Sequence, residues 1–477
     1  MQTRIQVLSD EEKTQIHERT LGVLARIGMR VDTAEGRRIL AEAGAQVDET
    51  THMAKFPAEL VEESLRLSTK ELTLGGRRPG WGHKLNAGEF TLLADGGATS
   101  VFDRRTGERR AATHDDWLDA TRLHDALDDV GLYWCPTEYP ADYERPGGFV
   151  RYYADVFGVF GKHVQDSYGT PELTPWLKEV LDIVFGGPEV VRELNPLSFL
   201  ITPASPLTIE HDYTETWLSL RDYGVPVAIM PMPLQGATAP GSRLGTLLAA
   251  NCEVLGTLSL VQAAAPGTPV IYSPVIATMD PRSGLYAAGA IEHAVLAVAG
   301  TEMARFYGLP AESSGFCTQH YEPDIQTAWE KANGGLLVTL SDPDILVGPG
   351  LLGGAMILNL EQIVFDVEVA RLARQALTGI PVRDELWLDE ILDKVGPCGS
   401  FLGERSTRVN ARAGEWRLSD FGMHGSWDAW TAAGSPTTLD YARERVHEIL
   451  ATHVSLPYPD DVAAALAELQ KRAEAAS

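Results

Sequence analysis

Cysteine, basic charge and long uncharged apolar runs are all scarce in this chain of 477 residues. Its four cysteines, Cys135, Cys252, Cys317 and Cys398, lie far apart in apolar or Gly/Pro surroundings, which excludes a disulfide scaffold and predicts a reducing, cytoplasmic setting. Forty Lys and Arg stand against 66 Asp and Glu, a formal net charge of -26. Binding a phosphate backbone takes clustered Lys and Arg, so a nucleic-acid partner is excluded; the acidity reads as a solvated surface with some attraction for a cationic ligand. No stretch reaches the ~18 uncharged apolar residues of a bilayer span, and the first residues lack the apolar core of a signal peptide, so no membrane partner is expected. No Gly-rich phosphate-binding loop follows any apolar run, and no short-period repeat is present.

The chain does have the composition of a folded globular protein, with 44% hydrophobic and 22% charged residues. It also has a pattern. Between Val225 and Pro310 two short apolar runs, Val225–Pro231 and Val270–Ser273, alternate with two long apolar helix patterns, Leu244–Val261 and Tyr286–Tyr307. Short apolar runs closed by Pro and Gly are what strands buried on both faces look like, and helical crossovers between them imply parallel pairing. Further strands are predicted at Val130–Pro136, Lys162–Ser167, Ser198–Pro203, Glu312–Cys317 and Ile345–Val347, with an eighth in the Trp416–Met423 region. Helix-sized segments separate them: Leu173–Phe185, Ile209–Tyr223, Ile325–Leu340 and Asn359–Leu377, with His114–Leu127 leading into the first strand.

The alternation predicts an α/β fold, a (β/α)8 TIM barrel with N-terminal α/β and C-terminal helical elaborations. The division is 1–95 for the N-terminal elaboration, 96–430 for the barrel and 431–477 for the helical segment; Phe90–Leu93 reads as a strand of the first of these. In such a barrel the loops that follow the strands form the working face.

Several long motifs lie in this region: QGATAP at Gln235–Pro240, AANCEVLGTLSLVQAAAPGTPVIY at Ala249–Tyr272, and the segment from Met279 through AIEHAVLAVAGTEMARFYGLP to Pro310. With DIQTAWEKA at Asp324–Ala332 and WTAAGSPTTLDYARERVHEIL at Trp430–Leu450, they resemble the trimethylamine methyltransferase family over nearly the whole chain. The resemblance implies a TIM barrel that takes a methyl group from a methylated amine and passes it to the cobalt of a separate corrinoid protein. The founding branch of that family reads an in-frame amber codon as pyrrolysine within the segment that here spans Cys317–Asp324. This chain has Gln319, His320, Tyr321 and Glu322 there. It therefore resembles the non-pyrrolysine branch, whose members demethylate quaternary amines such as glycine betaine. The chain has no Asp-x-His-x-x-Gly segment, the cobalt-ligating motif of corrinoid modules, so no cofactor is expected on the chain itself; cob(I)alamin or methylcobalamin would ride on a partner. The oligomeric state is open.

A quaternary ammonium loses a methyl to a nucleophile as a neutral amine, without proton transfer, so no catalytic acid–base residue is required. What is required is a water-excluding seat for a cation, and aromatic faces provide one at about 0.5–2 kcal/mol per contact. The candidate substrate-binding residues at predicted strand ends are Trp134, Tyr168, Tyr272, Phe316 and Tyr321, each with core packing as its rival role. His320 with Glu322 and Gln319 offers a polar wall for a substrate carboxylate, against the alternative of a solvated loop. Gln235 and Thr238 are candidates for the same task, with bracing of the turn at Gly236 as the rival. Two alternatives remain: a zinc-dependent barrel methyltransferase using Cys317 and His320 with His163 or Cys135, and a barrel that binds a betaine without turning it over.

Overall fold

The computed structural model describes residues 3–103 and 106–477. Eight parallel strands run around a barrel in chain order: Thr91–Leu93, Val130–Tyr133, His163–Asp166, Leu197–Ile201, Val227–Ile229, Val270–Tyr272, Glu312–Ser314 and Ile345–Val347. The ring is joined between the first and last strands by Thr91–Ile345 and Leu93–Val347 pairing, and between the sixth and seventh by a parallel bridge of Tyr272 to Ala311. Every residue in these strands is buried, which is why most of them read as unbroken apolar runs rather than as alternation; His163–Asp166 and Glu312–Ser314 bury polar residues instead.

The first strand corrects the sequence reading. The eighth strand expected at Trp416–Met423 is absent; Thr91–Leu93 takes its place in the ring, and residues 416–423 form a largely exposed coil with no core to enter. A second omission is the helix Pro146–Val159 between the second and third strands, whose Gly-Gly start and run of aromatics gave no clear helical stripe. The predicted helices flanking the other strands are present within a few residues of their expected limits.

Two layers of packing follow from strand alternation. In the fifth strand Val227 and Ile229 face the surrounding helices, where they join one large cluster, while Ala228 and Met230 face the axis. The axial cluster is Leu93, Leu132, Leu200, Ala228, Met230, Ile271, Ile345 and Val347, and it is plugged from below by Leu72, Leu74 and Leu85 around the hairpin Thr73–Gly75/Gly82–Lys84.

The helix Arg243–Ala264 departs from the expectation that nothing in the chain has membrane-span character. It is long and apolar enough to cross a membrane, and 78% of its most apolar stretch is buried inside the protein. It is apolar all round because the N-terminal helices Asp10–Arg26, Ala34–Glu42 and Ala58–Leu67 cover one side while the barrel covers the other. At the far end of the chain, Thr438–Thr452 packs on Leu360–Thr378 and Asp460–Ala475 on Pro146–Val159. In the chain between Leu360–Thr378 and Thr438–Thr452, the short helices Asp389–Val395, Arg405–Arg412 and Trp427–Ala432 bury no residue.

Candidate active site at the barrel mouth

Continuing the strands by one step places Asp95 and Trp134 at the C-terminal mouth with the inward parity of Leu93 and Leu132. The Gly96 backbone lies flat against the Trp134 indole, and a Cβ there would fall 2.7 Å from a ring carbon. A side chain at this position is therefore excluded, and the close approach fixes the indole against the residue that follows Asp95. The seventh strand ends irregularly. Gly315 N and Phe316 N both donate to Val347 O, at 3.3 and 3.5 Å, and this doubling turns Phe316 outward and brings the half-buried Cys317 to the mouth beside the Tyr286 hydroxyl.

Below this rim a polar belt crosses the barrel. Glu312 accepts hydrogen bonds from Gln165 Nε2 at 2.8 Å and from Ser273 Oγ at 2.6 Å. Burial nonetheless pushes its carboxyl up to about 7, more than those two hydrogen bonds pull it down. Gln165 Oε1 has no partner among the described residues. Asp95 is raised to about 6, again by burial, although the Lys331 charge and the Gly96 N–H draw it back. Lys331 itself is bound to the buried Asp366 at 2.7 Å, so the one hydrogen bond to the Asp95 carboxylate among the described residues is the 3.0 Å contact from Gly96 N. Burial and the nearby Asp95 charge push the Cys317 thiol up to about 12, so it stays protonated at neutral pH. The Tyr286 hydroxyl lies 3.2 Å from His293 Nδ1, and burial lowers this imidazole to about 4, which leaves it neutral.

The residues singled out from the sequence divide into three groups. Trp134 stands inside the mouth, against the axial cluster. Tyr168, Tyr272 and Phe316 do not: they point away from the axis into the outer layer. Tyr168 donates to Thr174 Oγ1 at 2.9 Å and packs edge-on to Phe149 and Phe199; Tyr272 donates to Asn251 Oδ1 at 2.9 Å; Phe316 packs on Gly335 and Leu346. For the two tyrosines the reason is strand parity, which spacing to the nearest Pro or Gly does not reveal; for Phe316 it is the irregular strand end.

The third group lies on the loops above the mouth. Gln235 donates to Gly241 O at 3.1 Å, and Thr238 Oγ1 accepts from Leu234 N at 2.9 Å, so both side chains brace their own turn. His320 holds its Nδ1 3.2 Å from Asp324 Oδ1 and leaves Nε2 without a partner among the described residues. Tyr321 is exposed and lies on Gly353, and Glu322 is exposed. The proposed zinc partners are elsewhere: His163 binds Asn195 O and Ser198 Oγ at 2.8 Å each on the barrel floor, and Cys135 is buried in the outer layer.

Sequence reasoning missed Asp95, Gln165, Tyr286 and Glu312. A signal existed for Glu312, a carboxyl set inside a strand-like run, because such a group is buried only at a cost and seldom without a task. Asp95 lies in Ala-Asp-Gly-Gly, a composition that suits a turn and carries no mark of a site.

Four successive loops around the mouth present exposed apolar side chains, namely Met232, Leu285, Tyr321 and Met356. A closed parallel barrel with its aromatic and acidic groups gathered at the C-terminal end is an α/β-barrel enzyme whose working face is that end. The sequence matches the profile described as Trimethylamine methyltransferase (MTTB) across residues 1–476. It is 30% identical over 467 residues to the trimethylamine methyltransferase MttB of Desulfitobacterium hafniense, covering 98% of this chain and 93% of that one. It is 27% identical over 452 residues to a glycine betaine methyltransferase of the same species, strain Y51, covering 94% and 93%. Among solved structures it is similar to the monomethylamine methyltransferase of Methanosarcina barkeri, with 13% identity, 92% of each chain covered and a TM-score of 0.48. The chain belongs to the trimethylamine methyltransferase family and is a methyltransferase of the methylamine type.

Proposed function

We propose that this protein removes a methyl group from a quaternary amine, glycine betaine or a related betaine, and delivers it to the cobalt of a separate corrinoid protein without using pyrrolysine. The observation that carries the reading is the placement of Asp95 and Trp134 at the ends of adjacent strands at the mouth: a carboxylate with one backbone hydrogen bond, and an indole lying on the very next residue, Gly96. An unsatisfied anion at an aromatic surface suits a cation that has no N–H to donate.

Reduced corrinoid, held by its own protein, supplies the nucleophile. The C–N bond breaks with its electron pair left on nitrogen, so the amine departs neutral and no residue here has to move a proton. Asp95 and Trp134 seat the ammonium; Glu312, Gln165 and Ser273 close the barrel beneath it, and Met230 and Val275 keep the surroundings dry. The free Nε2 of His320 can receive a betaine carboxylate at the rim. Attraction to Asp95 fades as charge leaves nitrogen, so this carboxylate contributes to binding more than to the rate of the bound state. The exposed apolar rim fits the face of a docking partner large enough to cover the mouth. The standard residues at Gln319–Glu322 support the branch without pyrrolysine, and the 27% identity to a glycine betaine methyltransferase supports the substrate class.

The test is methyl transfer to chemically reduced cobalamin, followed by absorbance, with glycine betaine, proline betaine, carnitine, γ-butyrobetaine, choline and trimethylamine offered in turn. Transfer from a betaine but not from trimethylamine supports the reading. Transfer from trimethylamine alone would sink it.

A further inference from the structure

Beside the mouth, and separate from it, lies a second cleft of about 660 Å³. It is bounded by the start of the helix His114–Ala126, by the helix Pro146–Val159 and by residues 137–141. Its position is fixed to the rim because Thr137 pairs with Ala98.

The wall of this cleft is aromatic in an unusual way. Trp117 Nε1 donates to the Tyr133 hydroxyl at 2.9 Å, the Tyr133 and Tyr152 hydroxyls lie 3.0 Å apart, and Tyr152 donates to Asp166 Oδ2 at 2.8 Å. Tyr139 donates to the other Asp166 oxygen at 2.5 Å. All these polar tips converge on one buried carboxylate behind the wall, so Trp117, Tyr139 and Tyr152 offer the cleft their rings. His114 stacks on Trp117 with ring centres 5.2 Å apart.

Within the cleft stands Asp155, half-buried and without a hydrogen bond or ion pair to any described residue. Burial raises its affinity for a proton. The neighbouring Arg151 does not neutralise it by contact: its Nη2 donates to both oxygens of Asp142 at 2.7 and 2.6 Å. Glu138 adds a second carboxylate at the lip. His114 and Arg151 lie close enough to draw the proton affinity of Asp155 back, but burial outweighs them; an anion entering here would meet two carboxylates with Arg151 already held by Asp142, and an uncharged ligand would leave Asp155 desolvated. The two carboxylates sit in a wall that is otherwise largely aromatic, so a ligand whose surface is mostly N–H would turn most of its donors onto rings. A compact cation with alkyl groups on its charged atom satisfies the rings and the carboxylate together.

We infer that this cleft is a binding site for a small organic cation of the quaternary ammonium class, additional to the barrel mouth. The site is built from the outer faces of the second and third strands and their helix, shares no residue with the mouth, and stands whether or not the mouth takes the same class of ligand.

The experiment uses the full chain, tetramethylammonium in calorimetric titration, and crystals soaked with tetramethylarsonium, whose arsenic is located by anomalous scattering. Asp155→Asn preserves shape and removes the charge; Ala141→Trp, at an exposed lip position, fills the opening. The expected result is arsenic among Trp117, Tyr139 and Tyr152 in the wild type, retained in Asp95→Asn and lost in Asp155→Asn and Ala141→Trp. In titration, each of those two variants should lose one binding event or weaken it by about tenfold to a hundredfold, the worth of a charge-assisted contact. No arsenic in the wild-type cleft, or an isotherm and arsenic position unchanged in both variants, would overturn the inference. Because Asp95→Asn weakens binding at the mouth alone, failure of the mouth as a cation site and failure of this cleft give different results.

Discussion

Replacing Glu312 by Gln tests whether the barrel interior stores an ionisation cost. Burial raises the proton affinity of Glu312 from an ordinary value of 4.5 to about 7, so the folded protein holds that proton more tightly than the unfolded chain. The stabilisation is complete below pH 4.5 and is lost as the pH rises through 7. Converted at the energy of one pKa unit, the ionised group costs roughly 0.2 kcal/mol at pH 4, about 2 at pH 6 and about 3 at pH 8. Gln keeps the shape: its oxygen accepts from Gln165 Nε2 and its amide donates to Ser273 Oγ, so both present contacts survive. The difference between variant and wild type should therefore grow with pH in favour of Gln. At the unfolding entropy expected for a chain of this length, 3 kcal/mol corresponds to a rise in melting temperature of roughly 3 °C. Differential scanning calorimetry of both proteins from pH 5 to pH 8.5 reads this directly. A variant that melts at a constant offset from wild type across the range would refute the reasoning, because a constant offset reports packing and not ionisation.

Three further outcomes follow from the mouth. Asp95→Asn should raise KM for a quaternary amine by about tenfold with kcat nearly unchanged, since the charge acts on the bound cation. Because Asp95 takes up its proton near pH 6, wild-type kcat/KM should fall as pH drops through that value, and the fall should be missing in the variant; a kcat loss with constant KM would contradict a seating role. His320→Ala should weaken a carboxylated betaine by about 1–2 kcal/mol while sparing tetramethylammonium, as judged by paired binding titrations, and equal losses on both would remove the carboxylate contact. Tyr321→Ala, at an exposed rim position, should slow transfer to a protein-bound corrinoid several-fold and leave transfer to free cobalamin alone. Equal rates with both acceptors would remove Tyr321 from the docking face.

The barrel was legible because its strands are buried on both sides: Val-Pro-Val-Ala-Ile and Pro-Val-Ile-Tyr have to be apolar throughout, and that leaves a mark no surface strand leaves. The same property hid the site. When both faces are apolar, sequence offers no parity, and Tyr168 and Tyr272 are indistinguishable from residues facing the axis until the hydrogen bonds to Thr174 and Asn251 show them facing out. Phe316 was misplaced for a different reason, the doubled contact to Val347 O that shifts the phase of its strand end. Trp134 keeps the phase of Leu132 and so packs against the axial cluster. Thr91–Leu93 looks peripheral in the sequence because the next helix follows only after the hairpin Ser100–Phe102/Arg109–Ala111, which interrupts the strand–helix rhythm. Asp95 inherits that error, since a residue at the end of a strand left outside the ring cannot be seen to stand at its mouth.

The place of Thr91–Leu93 in the ring also bears on synthesis. Its two neighbours are Val130–Tyr133, made soon after it, and Ile345–Val347, made only when most of the chain has left the ribosome. Until then the growing sheet has two open parallel edges, one of them this short strand with its hydrogen-bonding groups unmatched. Truncated products ending before Val347 cannot close, and they are the species most exposed to edge-to-edge association. The hairpin and leucines that seal the barrel floor precede the ring in the chain, so an apolar template is already in place when the last strand arrives to complete it.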